Sequence, residues 1–362
     1  MPNNFSIAVF DGDGIGPEIT RPTVEILGAL AARSTYELDF QPCAAGAAHY
    51  AQTGFSLPEI AMDTARSADA ILLSAMGLPS VRYPDGTEIS PQIDLRKALT
   101  LFAGVRPVRI FPGQKTPLNM PPDREVDFVL IRESTEGLFH TQGKGEVLAD
   151  EARETLLITR EISEQLFKFA FDLAQTRRRA GRGAGRVTCV DKANVFRAFA
   201  FFRALFDQEA ARHPDLTADH LYVDAAALWF VLKPWEFDVL VTENMFGDIL
   251  SDLGAGLMGG LGVAPSADIG LHHAVFQPCH GSAPDIAGQG IANPMAMFLS
   301  AAMMLEWLGL RRACPEISAD GAKLRHAVED VIAQGQNLTA DLGGTASTLD
   351  VAAAVRDRVL SL

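Results

Sequence analysis

The sequence is poor in cysteine and in positive charge, and it holds no apolar run long enough to cross a bilayer. Its four cysteines, Cys43, Cys189, Cys279 and Cys314, lie far apart without a CxxC pair. That spacing argues against structural zinc and fits a reducing compartment. Basic side chains number 31 against 45 acidic ones, for a net charge of −14. No global field would draw such a chain to nucleic acid or to an anionic membrane, so an anionic ligand needs locally grouped arginines. The longest apolar stretch, residues 295–305, stops at Glu306, too short for a membrane helix. Met1-Pro2-Asn3-Asn4 lacks the basic and apolar segments of a secretion signal. A cytoplasmic protein without nucleic-acid or membrane partners is the expectation. Internal repeats and low-complexity linkers are missing too. What is present, 362 residues with 48% apolar and 21% charged content, suffices for two globular domains.

Residues 5–10 read as a strand, and an apolar-periodic helix follows over about residues 18–32. Between them stands Gly12-Asp13-Gly14-Ile15-Gly16-Pro17-Glu18. A strand, a glycine turn and a helix suggest a dinucleotide fingerprint, but the spacing is GxGxG rather than GxGxxG. Pro17 and Glu18 also occupy the helix start that a pyrophosphate would need bare. Further strands at 38–41 and 70–74, with a helix near 58–67, indicate an α/β sheet.

Arg96, Arg106 and Arg132 each fall at a predicted element boundary, where side chains can converge on a cleft. Singly each reads as a surface ion-pair partner; together they match a ligand with two carboxylates. A long amphipathic helix is expected over 155–175. The following basic run, Arg177 to Arg186, could touch RNA, but without interleaved aromatics it reads as a solvated loop. The strand at 187–190 leads into Asp191-Lys192-Ala193-Asn194-Val195, and the apolar run 221–228 carries Asp224. The strand at 237–242 leads into Glu243-Asn244-Met245-Phe246-Gly247-Asp248-Ile249-Leu250-Ser251-Asp252. A helix from near Phe246 places Asp248 and Asp252 one turn apart on one face. Such a pair suits Mg²⁺ or Mn²⁺, or else forms a solvated acidic first turn. Four successive strands thus end in Arg132, Lys192, Asp224 and this acidic pair, where α/β proteins bind ligands. Downstream, the loop from His280 to Pro294 carries Asp285, which could accept hydrogen bonds from two ribose hydroxyls and would repel a 2′-phosphate.

Taken together, Gly12 to Glu18, Asp191 to Val195, Asn244 to Asp252 and His280-Gly281-Ser282-Ala283-Pro284-Asp285 resemble the β-decarboxylating dehydrogenases. That family includes isopropylmalate, isocitrate, homoisocitrate and tartrate/malate dehydrogenases, and the likeness spans about residues 7–350. It implies a two-domain α/β fold, distinct from the Rossmann fold. A large domain of residues 1–101 and 259–362 would carry the NAD-binding loops, and a small domain of residues 102–258 the dimer interface. The resemblance assigns Asp248 and Asp252 to a divalent cation, with Asp224 reaching in from the partner subunit of a homodimer. Lys192, also from the partner, would take the substrate hydroxyl proton as hydride leaves for nicotinamide. Arg96, Arg106 and Arg132 would clamp a malate, with Ser90 and Gln92 near its carbon-3 substituent. Asn194, His280, Gly281, Ser282, Ala283, Asp285, Ile286 and Asn293 would hold the cofactor, and the Asp285-Ile286 pair resembles NAD-dependent members. The first substrate implied is 3-isopropylmalate. The polar Ser90 and Gln92 keep isocitrate, homoisocitrate and tartrate or malate as alternatives. Two departures stand out: Phe139 occupies the position of a proton-donating tyrosine, and Gln277 that of a common glutamate. Proton delivery after decarboxylation is left to His140, a water or Lys192, with His140 expected to be aimed away by a strand-like backbone. A non-catalytic regulatory subunit is the second class that Phe139 admits.

Overall fold

The computed structural model describes residues 3–362. Its strands are β1 (Asn3–Phe10), β2 (Tyr36–Pro42), β3 (Ala70–Leu73), β4 (Ala103–Arg109), β5 (Asp127–Glu133), β6 (Glu146–Val147), β7 (Ala152–Arg153), β8 (Arg186–Asp191), β9 (Thr217–Tyr222), β10 (Val239–Thr242), β11 (Pro265–Ile269) and β12 (Ala274–Pro278). Ten of them form one sheet in the order β2-β1-β3-β12-β11-β4-β5-β10-β8-β9, and β6 pairs only with β7. The two ends of the sheet are parallel, while β12, β11, β4 and β5 run antiparallel to one another and join the halves.

Local sequence explains the strand types. β3 and β10, with sequences AILL and VLVT, are buried throughout, as expected of parallel strands covered on both faces. β9 closes one edge and alternates between exposed and half-buried residues. The apolar stretch noted above belongs to the helix Met295–Arg311, which is buried around most of its circumference and packs against β11 and β12. An all-round apolar helix is stable only when surrounded by protein.

The glycine turn after β1 is closely packed against neighbouring loops. Gly12 and Gly14 have φ of +72° and +58°, a left-handed region that glycine enters without a steric penalty. A Cβ on Gly14 would lie 1.9 Å from the Ser282 carbonyl oxygen. The buried Asp13 between them accepts hydrogen bonds from the backbone N–H groups of Ala47 (2.7 Å), Ala48 (2.8 Å) and Gly77 (2.7 Å). One carboxylate therefore pins three loops beside the later His280 segment.

Several boundaries differ from those expected. The first helix is Gly16–Ala31, with Pro17 in its first turn, where the missing N–H is harmless. The long helix is Arg160–Arg179, begun by the Thr159 side chain accepting from the Ile162 N–H. Asp224 stands in the first turn of a helix, Val223–Leu232, rather than at the end of a strand. In the basic run, Arg177 pairs with Asp127 and Asp238, Arg182 with Asp127, and Arg186 with Asp219. Those arginines tie helix to sheet instead of forming a solvated loop.

Replacing Asp13 by alanine strands two buried donors, those of Ala47 and Gly77, so Asp13→Ala should lower unfolding free energy by about 2–4 kcal/mol. Urea denaturation monitored by circular dichroism measures this; an unchanged midpoint would show that Asp13 does not hold the loops.

Candidate active site

β5, β10, β8 and β9 are neighbours and mutually parallel, so their C-terminal ends share one edge. Arg132 is the penultimate residue of β5, Lys192 follows β8, and Asp224 follows β9. After β10 comes the helix Asn244–Leu257, which starts two residues earlier than expected because the Glu243 carboxylate accepts from Phe246 N–H (2.7 Å) and Met245 N–H (3.1 Å). This helix lies unusually close to the sheet. A Cβ on Gly247 would sit 2.6 Å from Arg132 Cβ, and one on Gly254 would sit 2.7 Å from Val108 Cγ2. The close approach carries Asp248 and Asp252 over a cavity of about 220 Å³ that Arg96, Arg106, Arg132 and Gln92 also line.

Beneath the arginines lies a residue that the motifs did not reveal, the fully buried Asp268 of β11. Its Oδ2 accepts from Arg96 Nε (2.9 Å) and Gln277 Nε2 (3.0 Å). Its Oδ1 accepts from Arg106 Nη2 (3.1 Å) and the Ser134 hydroxyl (3.1 Å). Although burial opposes ionisation, the charges of Arg106, Arg96 and Arg132 prevail and hold this carboxyl at about 2. Across the strands Asp268 stands opposite Gly104, and Gly104 opposite Arg132. Any side chain at Gly104 would strike the Ser134 hydroxyl at 2.5 Å and Asp268 Oδ1 at 3.0 Å. The only sequence signal for Asp268 was an acid inside an apolar strand, which ordinarily needs a buried partner.

Arg132 is buried and reaches the Asn244 Oδ1 through Nε (3.0 Å) and Nη2 (2.7 Å), while its Nη1 pairs with Asp248. Burial and the like charges of Arg96 and Arg106 pull its pKa down to about 10. Asp252 is raised by burial and by the Asp248 charge. A carboxylate raised by its neighbour beside a cavity fits a hard divalent cation, whose charge would remove the conflict. Among the described residues, however, no three acidic, histidine or cysteine side chains of one chain could hold a metal together. Asp224 pairs instead with Lys192, and neither residue lines the arginine cavity.

Phe139 does line it, with its ring centroid 5.2 Å from the Arg132 guanidinium carbon. Its backbone forms a 3₁₀ turn, Leu138–Thr141, not the expected strand, and His140 is exposed on that turn. The Ser90 hydroxyl donates to the Glu88 carbonyl (3.0 Å), and Ser90 does not line this cavity.

In the cofactor-loop candidates, Gly281 and Asp285 are exposed and Ile286 is half-buried. His280 has a buried Nε2 without a protein partner, and burial lowers its pKa. An unpaired ring nitrogen of this kind fits a bound polar ligand. Ser282 is buried, with its hydroxyl on the Gly77 carbonyl, and Ala283 adopts φ +37°. Asn194 is exposed beyond Lys192. Asn293 has both ends of its amide engaged, by Asp341 (3.0 Å) and the Met295 N–H (3.0 Å). Its side chain thus fastens the start of the helix Met295–Arg311.

A mixed sheet that gathers three arginines and two carboxylates around one cavity defines an α/β protein with a strongly charged cleft. The family profile described as isocitrate/isopropylmalate dehydrogenase matches residues 6–355. The 3-isopropylmalate/3-methylmalate dehydrogenase of Methanocaldococcus jannaschii is 42% identical over 98% of each chain. The 3-isopropylmalate dehydrogenase of Streptococcus thermophilus is 41% identical over 96% of this chain and 98% of its own. Among solved structures, isocitrate dehydrogenase from Methylococcus capsulatus superposes with a TM-score of 0.84 at 37% identity, covering 98% of this chain and 99% of its own. The chain belongs to the isocitrate/isopropylmalate dehydrogenase family, and so to the oxidoreductases.

Asp268→Asn removes the counter-charge from two buried guanidiniums and should cost about 3–5 kcal/mol of stability. The sign with pH follows from the depressed carboxyl: its contribution is complete above about pH 4 and is lost as the pH falls towards 2. Acid unfolding of the variant should therefore lack that part of the wild-type slope. Equal slopes for both proteins would refute the assignment.

Proposed function

We propose that the protein catalyses the NAD-dependent, divalent-metal-dependent oxidative decarboxylation of a 3-substituted malate. On the names of its relatives, 3-isopropylmalate is the first candidate, with isocitrate, homoisocitrate and tartrate or malate as alternatives. The observation that carries this reading is the Asp268-anchored arginine group facing Asp248 and Asp252 across one cavity. Arg96, Arg106 and Arg132 offer planar forks that receive two carboxylates. Asp248 and Asp252 would hold Mg²⁺ or Mn²⁺, and when bound the ion would supply Lewis acidity at the substrate's oxygens. Lys192, held by Asp224, would take the hydroxyl proton. Asp285, exposed at the cofactor loop, would receive the ribose hydroxyls and disfavour a 2′-phosphate.

The reading includes a homodimer with shared sites. Lys192 and Asp224 lie outside their own chain's arginine cavity, while apolar side chains beside Asp224 and Asp248 face solvent. Leu228, Leu232 and Ile249 are 57%, 58% and 62% exposed. A second copy covering that face would bring its Lys192 and Asp224 to this chain's Asp248 and Asp252. The domain division, 1–101 and 259–362 against 102–258, belongs to the same proposal. It is supported by the antiparallel strands that join the two parallel halves. No helix of the described residues is long and apolar enough to cross a membrane.

A panel of isopropylmalate, isocitrate, homoisocitrate, malate and tartrate, assayed with Mn²⁺ and either NAD or NADP, tests the chemistry. At least one member should turn over with NAD, and a preference for NADP of about tenfold or more would contradict the cofactor assignment. Asp248→Asn should weaken Mn²⁺ binding by calorimetry and lower turnover by about a hundredfold or more. Shared sites predict that inactive Lys192→Met and Asp248→Asn variants, unfolded and refolded together in equal amounts, recover about a quarter of wild-type activity. Absence of any recovery, with dimers re-formed, would place each site within one chain.

A further inference from the structure

The sheet bears a second cavity on the face away from the three clustered arginines. In β4 the side chain of Arg106 lines the arginine cavity, whereas Val105, Pro107 and Arg109 line the second one. β5 divides likewise, with Arg132 on one side and Asp127 and Val129 on the other. Alternate residues of a strand point to opposite faces, so the thickness of the sheet separates the two cavities. The helices Arg160–Arg179 and Met295–Arg311 supply opposing walls through Leu173 and Met303. Floor and walls are mainly apolar, and Leu310, 77% exposed, extends them to the opening.

Four guanidiniums also line this space, and three of them have an acid of their own. Arg109 pairs with Glu329 (2.6 Å), Arg177 with Asp238 (2.7 Å) and Arg325 with Glu306 (3.1 Å). Arg182 has Asp127 alone among the described residues, at 3.3 Å, and shares it with Arg177 (3.1 Å) and Arg109 (3.7 Å). That contact is the single hydrogen bond of the Arg182 side chain among the described residues, so most of its donors are open at the mouth of the cavity. We propose that this cavity binds a small monocarboxylic acid with an apolar tail, its carboxylate held by Arg182. The carboxylate would relieve the sharing of Asp127 and match the planar fork, while the tail displaces water from the apolar floor. An ammonium head would find no free acid, because Asp127 and Glu306 are already paired. At about 280 Å³ the space is at the small end of ligand sites, so it takes a tail of about six to eight carbons and excludes a long-chain lipid.

Isothermal titration calorimetry of the full chain with octanoate, hexanoate, acetate and 1-octanol tests the site. Each buried methylene contributes about three- to fourfold in affinity. Hexanoate should therefore bind about tenfold more weakly than octanoate, and acetate not measurably. The uncharged 1-octanol should also bind about tenfold more weakly than octanoate. Arg182→Gln should erase the advantage of octanoate over octanol while octanol still binds. Met303→Trp, which fills the space from its wall, should abolish binding of both in protein shown to be folded by circular dichroism. Arg182 is at the surface, so its variant decides the matter even where the tryptophan variant does not fold. Octanoate binding that Arg182→Gln leaves unchanged places the acid elsewhere, the arginine cavity included, and overturns the proposal. Equal affinity for octanoate and acetate, or no octanoate binding at millimolar concentration, does the same.

Discussion

The ion-paired Asp268 is the interaction on which the site depends. Three guanidiniums around one small cavity repel each other, and the pKa of Arg132 is lowered by burial first and by the charges of Arg96 and Arg106 besides. A carboxylate bonded to Arg96 Nε and Arg106 Nη2 neutralises part of that charge. Ser134 and Gln277 supply its remaining hydrogen bonds, so the buried charge is satisfied on both oxygens. Gln277, an apparent departure from relatives at the sequence level, thereby has a structural role as a neutral donor to Asp268. A carboxylate in its place would add a second buried negative charge.

The antiparallel centre of the sheet makes that arrangement possible. Asp268, Gly104 and Arg132 belong to three adjacent strands and fall in one row. The row works because its middle member has no side chain. The same use of glycine recurs where Gly247 lets a helix settle against Arg132 and where Gly14 meets Ser282. In each case the absent Cβ brings a charged or ligand-facing segment closer than any other residue would permit. These glycines shape the cleft by letting elements pack closely.

On the function proposed above, one chain holds the site in two parts. The arginine cavity and the Asp248/Asp252 pair form one, and the Lys192–Asp224 pair the other. A parallel sheet orders strand ends along an edge, so residues on β5 and on the far β9 side are aligned yet separated by the intervening strands. Within the first part, Arg132 pairs with Asp248 while Asn244 holds its other nitrogens. Arg132 thus stays oriented when a ligand or cation takes its place on Asp248.

Much of this was legible from the residues in order. The periodicity of apolar positions marked the α/β class, the turn spacing excluded a dinucleotide fingerprint, and strand-end charges located Arg132, Lys192 and the acidic pair. These are local properties, set by backbone sterics and by which residues recur on one face. Asp268 was not visible, because its meaning comes from Arg96 and Arg106, more than 160 positions away. Nor could the order of residues show that Ser90 and Asn293 are engaged by neighbouring protein atoms while Gln92 and His280 are left unpaired. The backbone at His140 was expected to be strand-like, whereas Gly137, with φ +70°, leads into a 3₁₀ turn. Sequence alone determined the class of fold and the stock of charges. Which charges meet, which are neutralised and which polar atoms stay free for a ligand was decided only when distant strands fell into register.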